Sequence, residues 1–299
     1  SATRALDSAP AAVERAGHRF VLPGDSAAAA GAAARLLAEG VAVGVQPDGS
    51  FVTPATAGGA LRLQEAQVAV RSEPDGEPTA TALRPPDVVV VADDGPAQLG
   101  PPALLPGIGG DQPSGWTPAA LRASGVPAAV QSASHLALGV RPGTTHVIVG
   151  PGTIGGTRPT GALASSLRRF VTAGGRLIAI GAEGHRTLVE LGLSAVRSSP
   201  APDDRAATTL AAVPTGTVWS RALGGPTRVV WHGDELLAPP SGAVALLQTP
   251  AASWLGPAAT PLAIAEPLGA GQVVTLGFSP VFRGQSAGGL RVLLGLLLS

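Results

Sequence analysis

The segment RLIAIGAEGH, residues 176–185, carries the local pattern that decides the fold. Its apolar residues 177–180 are typical of a buried strand, residues 181–184 (Gly-Ala-Glu-Gly) of a tight corner, and residues 185–193 (HRTLVELGL) of a helix. An α/β enzyme often carries its nucleophile at such a corner. The segment therefore raises the question of whether this corner performs chemistry.

The same alternation continues on both sides of this segment. PDVVVVADD (86–94) and HVIVG (146–150) contain continuous apolar runs, which are typical of parallel strands covered on both faces. Helices are predicted from Thr117 to about Ser124 and from Thr160 to Ala173. This order predicts an α/β fold with a doubly wound, mostly parallel sheet. From about residue 206, short apolar runs between Gly/Pro turns predict an antiparallel β extension, closed by a helix over 286–298.

The N-terminal part has a different pattern of apolar and turn-forming residues. HRFVLP (18–23) predicts a strand, and Asp25 or Ser26 can cap an alanine-rich helix that ends at Gly40. A hairpin is predicted around residues 47–49, and the four prolines of residues 74–86 predict a linker. The expected organisation is a small α/β connecting module over residues 1–84 and a larger α/β domain over residues 85–299.

Composition excludes several function classes. The chain has 299 residues, a net charge of zero and no cysteine, and all twenty basic residues are arginine. Without a basic excess, no nucleic-acid partner is expected. No segment is long and apolar enough to predict a membrane span. The absence of cysteine removes thiolate nucleophiles and thiolate metal sites. Because the chain begins at Ser1, it is expected to be a processed product or a piece of a longer protein.

Three local motifs suggest enzymes, but each lacks a required part. GQSAG (284–288) matches G-x-S-x-G, yet the preceding strand ends near Gly277 and no histidine follows Ser286. The five histidines form no zinc-binding spacing, and His146 is expected to be structural. GPGTIGG (150–156) contains a proline and has no acidic partner about twenty residues later, so it is a weak dinucleotide motif. No catalytic, cofactor-binding or metal-binding residue is predicted.

Four residues remain as candidates for contact with a ligand. Glu183 and His185 follow the 177–180 strand, at the sheet edge where open α/β sheets bind ligands. The alternative for Glu183 is stabilisation of a helix N-terminus. Trp116 can stack on a sugar or pack in the core, and Arg283 lies in the segment before the last helix. Asp93 and Asp94, which are adjacent and have no third ligand, are expected to be solvated loop charges.

Several segments resemble one family in the expected order. These are FVLPGDSAAAAGAAARLLAEGVAV (20–43), DGSFVTPA (48–55), SGWTPAALRASGVP (114–127) and the closing GAGQVVTLGFSPVFRGQSAGGLRVLLGLLL (269–298). Together they resemble the C-terminal region of bacterial M14 zinc carboxypeptidases, in which a glutamine-amidotransferase-like domain follows the peptidase domain. The closing segment departs from the family pattern at Ala287, where a histidine is usual.

The resemblance implies a class I glutamine-amidotransferase-like, flavodoxin-like fold and a non-catalytic accessory region of a secreted carboxypeptidase-like protein. The zinc ligands of the family cannot be placed on this chain, so zinc is expected only in a peptidase domain outside it. The expected partner is that peptidase domain or another protein, with a peptide or glycan as a further ligand. The alternative is a carbohydrate-associated or oligomerisation module, like the amidotransferase-like domain of β-galactosidases. Because the 181–184 corner lacks the amidotransferase cysteine, it is expected to be a vestigial elbow or a pocket wall.

Overall fold

The computed structural model describes residues 18–74, 80–92, 116–150, 161–200, 208–215, 225–231, 235–250, 259–281 and 287–299. Seven helices lie in these ranges: α1 (Ala27–Ala38), α2 (Ala57–Glu65), α3 (Trp116–Ala123), α4 (Ala133–Leu138), α5 (Gly161–Thr172), α6 (Gly181–Glu190) and α7 (Ala287–Leu298). None of them is long and apolar enough to cross a membrane.

Sixteen strands in the described ranges form three sheets. The first sheet contains β1 (His18–Leu22), β2 (Gly44–Val45), β3 (Phe51–Pro54), β4 (Arg71–Pro74) and β5 (Thr81–Ala82). The second contains β6 (Val88–Ala92), β7 (Ala128–Ser132), β8 (His146–Val149), β9 (Arg176–Ile180), β11 (Thr208–Pro214), β12 (Thr227–Trp231), β14 (Val244–Gln248), β15 (Pro261–Leu268) and β16 (Gly271–Leu276). The third pairs β10 (Arg197–Pro200) with β13 (Glu235–Ala238).

The nine-stranded sheet has the order β12-β11-β14-β15-β16-β9-β8-β6-β7. Five neighbouring strands, β7-β6-β8-β9-β16, are parallel, and in chain order they read 2-1-3-4-5, the doubly wound arrangement. The mixed α/β class predicted from the sequence is therefore confirmed. The antiparallel extension is present as β12, β11, β14 and β15. Strand β16 pairs antiparallel with β15, as the sequence predicts, and also pairs in parallel with β9, with Leu276 opposite Ile180, which the sequence does not predict.

Alternating side chains of the parallel strands belong to two separate hydrophobic cores, as expected for strands that are buried on both faces. Val88 and Val90 point to one face, which packs against α3, α7 and α1. Val89 and Val91 point to the other face, which packs against α4, α5 and α6. The parallel sheet is therefore a middle layer between two helical layers.

The first sheet is antiparallel throughout, in the order β4-β1-β3-β2-β5. The side-chain oxygen of Ser26, one of the two predicted caps, accepts a 3.3 Å hydrogen bond from the Ala29 amide at the start of α1. Phe20 and Phe51 lie in the same hydrophobic core as Ile178 and Leu293, so the N-terminal sheet and the larger sheet share one core. Division of the chain at residues 84 and 85 stays a prediction.

Two helices, α2 and α4, and two short strands, β5 and β10, were missed by sequence reasoning. Helix α2 contains two glycines and α4 is only six residues long, so neither produces a clear 3.6-residue pattern. Strand β5 falls inside the predicted linker 74–86, of which residues 75–79 are outside the described ranges.

Candidate functional site

The carboxyl ends of parallel strands form the edge at which open α/β sheets bind ligands. In this chain the edge is formed by the ends of β6, β8, β9 and β16. The segments 93–115, 151–160 and 282–286, which follow β6, β8 and β16, lie outside the described residues. The described part of the edge is thus centred on the junction of β9 with α6.

The chain turns from strand to helix at a single glycine. Ile180 ends β9 with extended angles (φ −112°, ψ 122°), and Gly181 has φ +64° and begins α6. The predicted four-residue corner over 181–184 is therefore wrong, because residues 182–184 are already the first turn of the helix. A positive φ costs glycine little, which lets the chain reverse direction within one residue.

Gly181 occupies the position that defines a nucleophile elbow. In such elbows the reactive side chain sits on a sharp, strained turn between a strand and a helix. Gly181 has that backbone geometry, but it offers no side chain to react. The corner thus retains the shape of an elbow without a nucleophilic group at its apex.

Gly184 allows α6 to start very close to the sheet. A Cβ atom added at Gly184 would lie 2.5 Å from the carbonyl oxygen of Val149, the last residue of β8. Real Cβ atoms do not approach an oxygen that closely. A glycine is required for the helix and the neighbouring strand to pack at this distance.

The carboxylate of Glu183 stands in the first turn of α6 and is half-buried. Ile180, at the cap position, offers no side-chain hydrogen bond to the free amides of that turn. A carboxylate at this place is stabilised by the helix dipole. The location therefore gives Glu183 a structural reason to be there, and its contact with a ligand stays a prediction.

The imidazole of His185 is buried and contacts the main chain. Its Nε2 lies 3.1 Å from the carbonyl oxygen of Val196. Since a carbonyl only accepts, Nε2 carries the hydrogen and donates it. His185 thus fastens α6 to the loop that precedes β10. Contact of His185 with a ligand stays a prediction.

A buried carboxylate that sequence reasoning missed lies next to this loop. Glu266 of β15 accepts hydrogen bonds from the Ser194 hydroxyl and, at 2.8 Å, from the Ala195 amide. The Ser194 oxygen in turn accepts from the Val196 amide at 3.2 Å. Serine, histidine and glutamate therefore share one neighbourhood, but His185 contacts a carbonyl and Glu266 contacts the serine. The one available signal was a single charged residue in the otherwise apolar run PLAIAEPL.

A hydroxyl does meet an imidazole at the opposite edge of the sheet. Thr145 Oγ1 lies 2.8 Å from His146 Nδ1, and His146 Nε2 lies 3.1 Å from a guanidinium nitrogen of Arg176. Because a guanidinium only donates, we assign Nε2 as the acceptor and Nδ1 as the protonated nitrogen, which donates to Thr145. In this arrangement His146 cannot accept the threonine proton. Burial and then the neighbouring Arg176 lower the pKa of His146 to about 3.

Within the described residues, the remaining candidates add no further site. Trp116, the first residue of α3, is partly buried and packs against the larger core, in agreement with its structural alternative. Arg283, Asp93 and Asp94, as well as most of GPGTIGG, lie outside the described residues. Within the described ranges, no three His, Cys, Asp or Glu side chains are grouped as a metal ion would require.

A surface groove of about 300 Å³ runs along α1 from Ala27 to Arg35, beside the ends of α2 and α3 and Leu290 of α7. Small side chains make up most of its lining, with Arg35 and Glu65 as its charged members: Ala27, Ala28, Gly31, Ala32, Arg35, Glu65, Ala66, Ala123, Ser124 and Leu290. Arg35 donates a 2.5 Å hydrogen bond to the carbonyl of Ala123, so this side chain helps to hold α1 against the end of α3.

No protein-family model and no curated protein matches this chain. Among solved structures, a β-galactosidase from Bacillus circulans sp. alkalophilus is 16% identical with a TM-score of 0.38, over 57% of this chain and 24% of that one. A protein described as a GMP synthase component from Thermoplasma acidophilum is 12% identical with a TM-score of 0.42, over 71% of this chain and 92% of that one. The exo-β-1,4-mannosidase Op5Man5 from an Opitutaceae bacterium is 16% identical with a TM-score of 0.42, over 72% of this chain and 36% of that one. The chain thus spans about a quarter of the β-galactosidase, and similarities this distant do not assign a function.

Proposed function

We propose that the chain is a non-catalytic accessory module that binds a protein partner within a secreted, carboxypeptidase-like protein of the M14 class. The observation that carries the non-catalytic part is Gly181. Its positive φ places it at the apex of the strand-to-helix turn, where an elbow would present its nucleophile.

The hydrogen bonds of His146 support the same proposal. Its Nε2 faces the guanidinium of Arg176, and its Nδ1 faces the hydroxyl of Thr145. A general base needs a free acceptor nitrogen within reach of the proton that it removes. Both ring nitrogens of His146 are already engaged.

The M14 assignment is supported by the resemblance of the closing segment, residues 269–298. An amidotransferase-like identity for the domain is part of the same proposal and is compatible with the 2-1-3-4-5 strand order. The role that follows is to support or orient the peptidase domain. The groove along α1 is one surface through which such a contact could be made.

The non-catalytic part is tested by incubating the full chain with peptide, ester and amide substrates, with and without zinc. We expect no turnover above the blank. Turnover that scales with protein concentration and disappears with a chelator would refute the proposal. A Gly181→Ala variant serves as control, because activity that arises from the elbow should respond to it, while activity from a contaminant should not.

The accessory part is tested on the coding sequence upstream of Ser1. We expect it to encode a peptidase domain with an H-x-x-E zinc motif. When that domain and this chain are produced separately and mixed, sedimentation velocity should show a one-to-one complex. An upstream sequence without a peptidase, or two parts that sediment independently at micromolar concentration, would contradict this assignment.

A further inference from the structure

The last turn of α7 is held to the amino ends of β8 and β9 by one guanidinium group. Arg176 Nη1, at the start of β9, lies 2.6 Å from the carbonyl oxygen of Leu296 and 2.9 Å from the main-chain oxygen of Ser299. The same nitrogen lies 3.1 Å from His146 Nε2, at the start of β8. We call these four residues, Arg176, His146, Leu296 and Ser299, the latch.

The latch accommodates only a neutral imidazole. His146 Nε2 faces a donor, so it must be unprotonated, and its Nδ1 hydrogen is directed to Thr145 Oγ1 at 2.8 Å. The Thr145 hydroxyl is fixed in turn by the main chain of Asp87, since it accepts from the amide at 2.9 Å and donates to the carbonyl at 3.0 Å. A second hydrogen on the imidazole would lie beside the guanidinium, and the Leu296 carbonyl, which could receive it, already accepts from Arg176.

We propose that the latch is proton-operated: protonation of His146 removes the acceptor that faces Arg176 and releases the last turn of α7 from the sheet. The protonated ring would place a second positive charge about 3 Å from the guanidinium, in a site that is shielded from water. Opening the latch separates the two charges and lets solvent reach both of them.

No described side chain is placed to compensate the added charge. From β9 the imidazole faces Arg176, and from the turn before its own strand it faces the uncharged Thr145. The nearby carboxylate of Asp87, before β6, is already paired with Arg141. The sequence of helix α7, AGGLRVLLGLLL, contains no acidic residue, and its contribution is the Leu296 main chain, whose hydrogen bond raises the pKa of His146 but does not outweigh burial and the charge of Arg176.

The sign of the pH dependence follows from linkage. Burial, and then the charge of Arg176, lower the pKa of His146 in the closed latch to about 3, whereas an exposed imidazole titrates near 6.5. The closed latch is therefore fully stable above pH 6.5 and loses stability as the pH falls from 6.5 towards 3. Over that window the population of the open latch should rise about tenfold for each pH unit.

Hydrogen exchange on the full chain between pH 4.5 and 7.5 tests this directly. After correction for intrinsic exchange rates, protection of the amides in residues 294–298 should be constant above pH 6.5 and fall about tenfold per unit below it. Residues 163–171 of α5 provide the internal reference and should keep their protection. Equal loss at both places would mean global acid unfolding and would overturn the proposal.

Two variants separate the imidazole from other acid effects. His146→Gln keeps an acceptor and a donor but does not titrate, so its protection at 294–298 should not depend on pH. His135→Gln removes an exposed histidine of α4 and should behave like the unmodified chain. The same pH dependence in His146→Gln as in the unmodified chain would refute the latch.

If His146→Gln fails to fold, nitrogen-15 chemical shifts of the imidazole in the unmodified chain decide the matter. We expect the His146 ring to remain neutral, with the hydrogen on Nδ1, at pH 5 in the folded protein. A ring that is protonated in the folded state at pH 5 without loss of protection at 294–298 would refute the proposal.

Discussion

Replacement of Gly184 by alanine should destabilise the chain although it improves the helix propensity of α6. The added Cβ would lie 2.5 Å from the Val149 carbonyl oxygen and 3.5 Å from the carbonyl carbon of Ala179. An unstrained carbon–oxygen contact is about 3.3 Å or longer. Either the start of α6 or the end of β8 must therefore move by nearly 1 Å.

The magnitude follows from two opposing effects. Forcing an extra methyl group into a packed interior typically costs about 1–3 kcal/mol. Alanine in place of glycine within a helix contributes about 1 kcal/mol in favour of folding. Gly58 in α2 provides the matched control, because it is exposed and a Cβ added there would meet nothing within 4 Å. Gly58→Ala should show only the gain in helix propensity, without a packing cost.

The assay is urea unfolding followed by circular dichroism on both variants and the unmodified chain. Gly184→Ala should be less stable than Gly58→Ala by about 1–3 kcal/mol, with a lower midpoint and an unchanged slope. Equal stabilities of the two variants, within about 0.5 kcal/mol, would show that α6 does not approach β8 as closely as the structure indicates.

Three further substitutions test other parts of the fold. Gly181→Ala places a Cβ at φ +64° and should cost about 1–2 kcal/mol of unfolding free energy in the same urea assay, whereas no loss would indicate a relaxed turn. Glu266→Gln replaces one of the two carboxylate oxygens, which accept separately from Ser194 and from Ala195, by an amide nitrogen, and should lower the unfolding free energy by about 1–3 kcal/mol; an unchanged midpoint would contradict the buried network. Arg122→Ala removes the guanidinium that donates to the Ala128 carbonyl of β7 at 3.0 and 3.1 Å. In the described sheet, β7 pairs with β6 alone and is therefore an edge strand. The variant should self-associate at lower concentration than the unmodified chain in sedimentation velocity. A variant that remains monomeric would show that Arg122 does not protect this edge against association.

The parallel strands could be predicted because each of them carries its own signal. Val88–Val91 and Leu177–Ile180 are continuous apolar runs, which strands covered on both faces require. Strand β16 was predicted with the antiparallel part and does pair antiparallel with β15, but its parallel pairing with β9 could not be predicted. Strand β9 lies about one hundred residues earlier in the chain, and the sequence of β16 does not encode this partner.

The corner was predicted at the right place, but its geometry was not. The letters Gly-Ala-Glu-Gly contain two glycines, and they do not reveal that the first supplies a positive φ while the second permits close packing. The latch could not be predicted from the sequence for a different reason. Arg176 contacts residues 30 and 120 positions away, and neither contact leaves a local pattern.

Arginine side chains hold distant segments of this chain together through main-chain carbonyls. The described donations are Arg35 to Ala123, Arg122 to Ala128, Arg168 to Gly192, Arg176 to Leu296 and Ser299, and Arg291 to Gly24. The last of these spans 267 residues and joins α7 to the turn before α1. A planar guanidinium keeps its charge when it is buried and offers several donors in fixed directions.

This use of arginine explains how a chain without lysine keeps two sheets on a common core. Helix α7 is fixed near its start by Arg291 and at its end by Arg176, and both guanidinium groups have lowered pKa values because they are buried. Each tie therefore carries a desolvation cost, which its carbonyl partners help to offset. The end held by Arg176 also contacts a titratable imidazole, whereas the Arg291 end faces the carbonyl of Gly24 and the carboxylate of Asp25, whose charge raises the pKa of Arg291. An acid-induced opening of α7 should consequently begin at Leu296 and leave the contact with Gly24 closed.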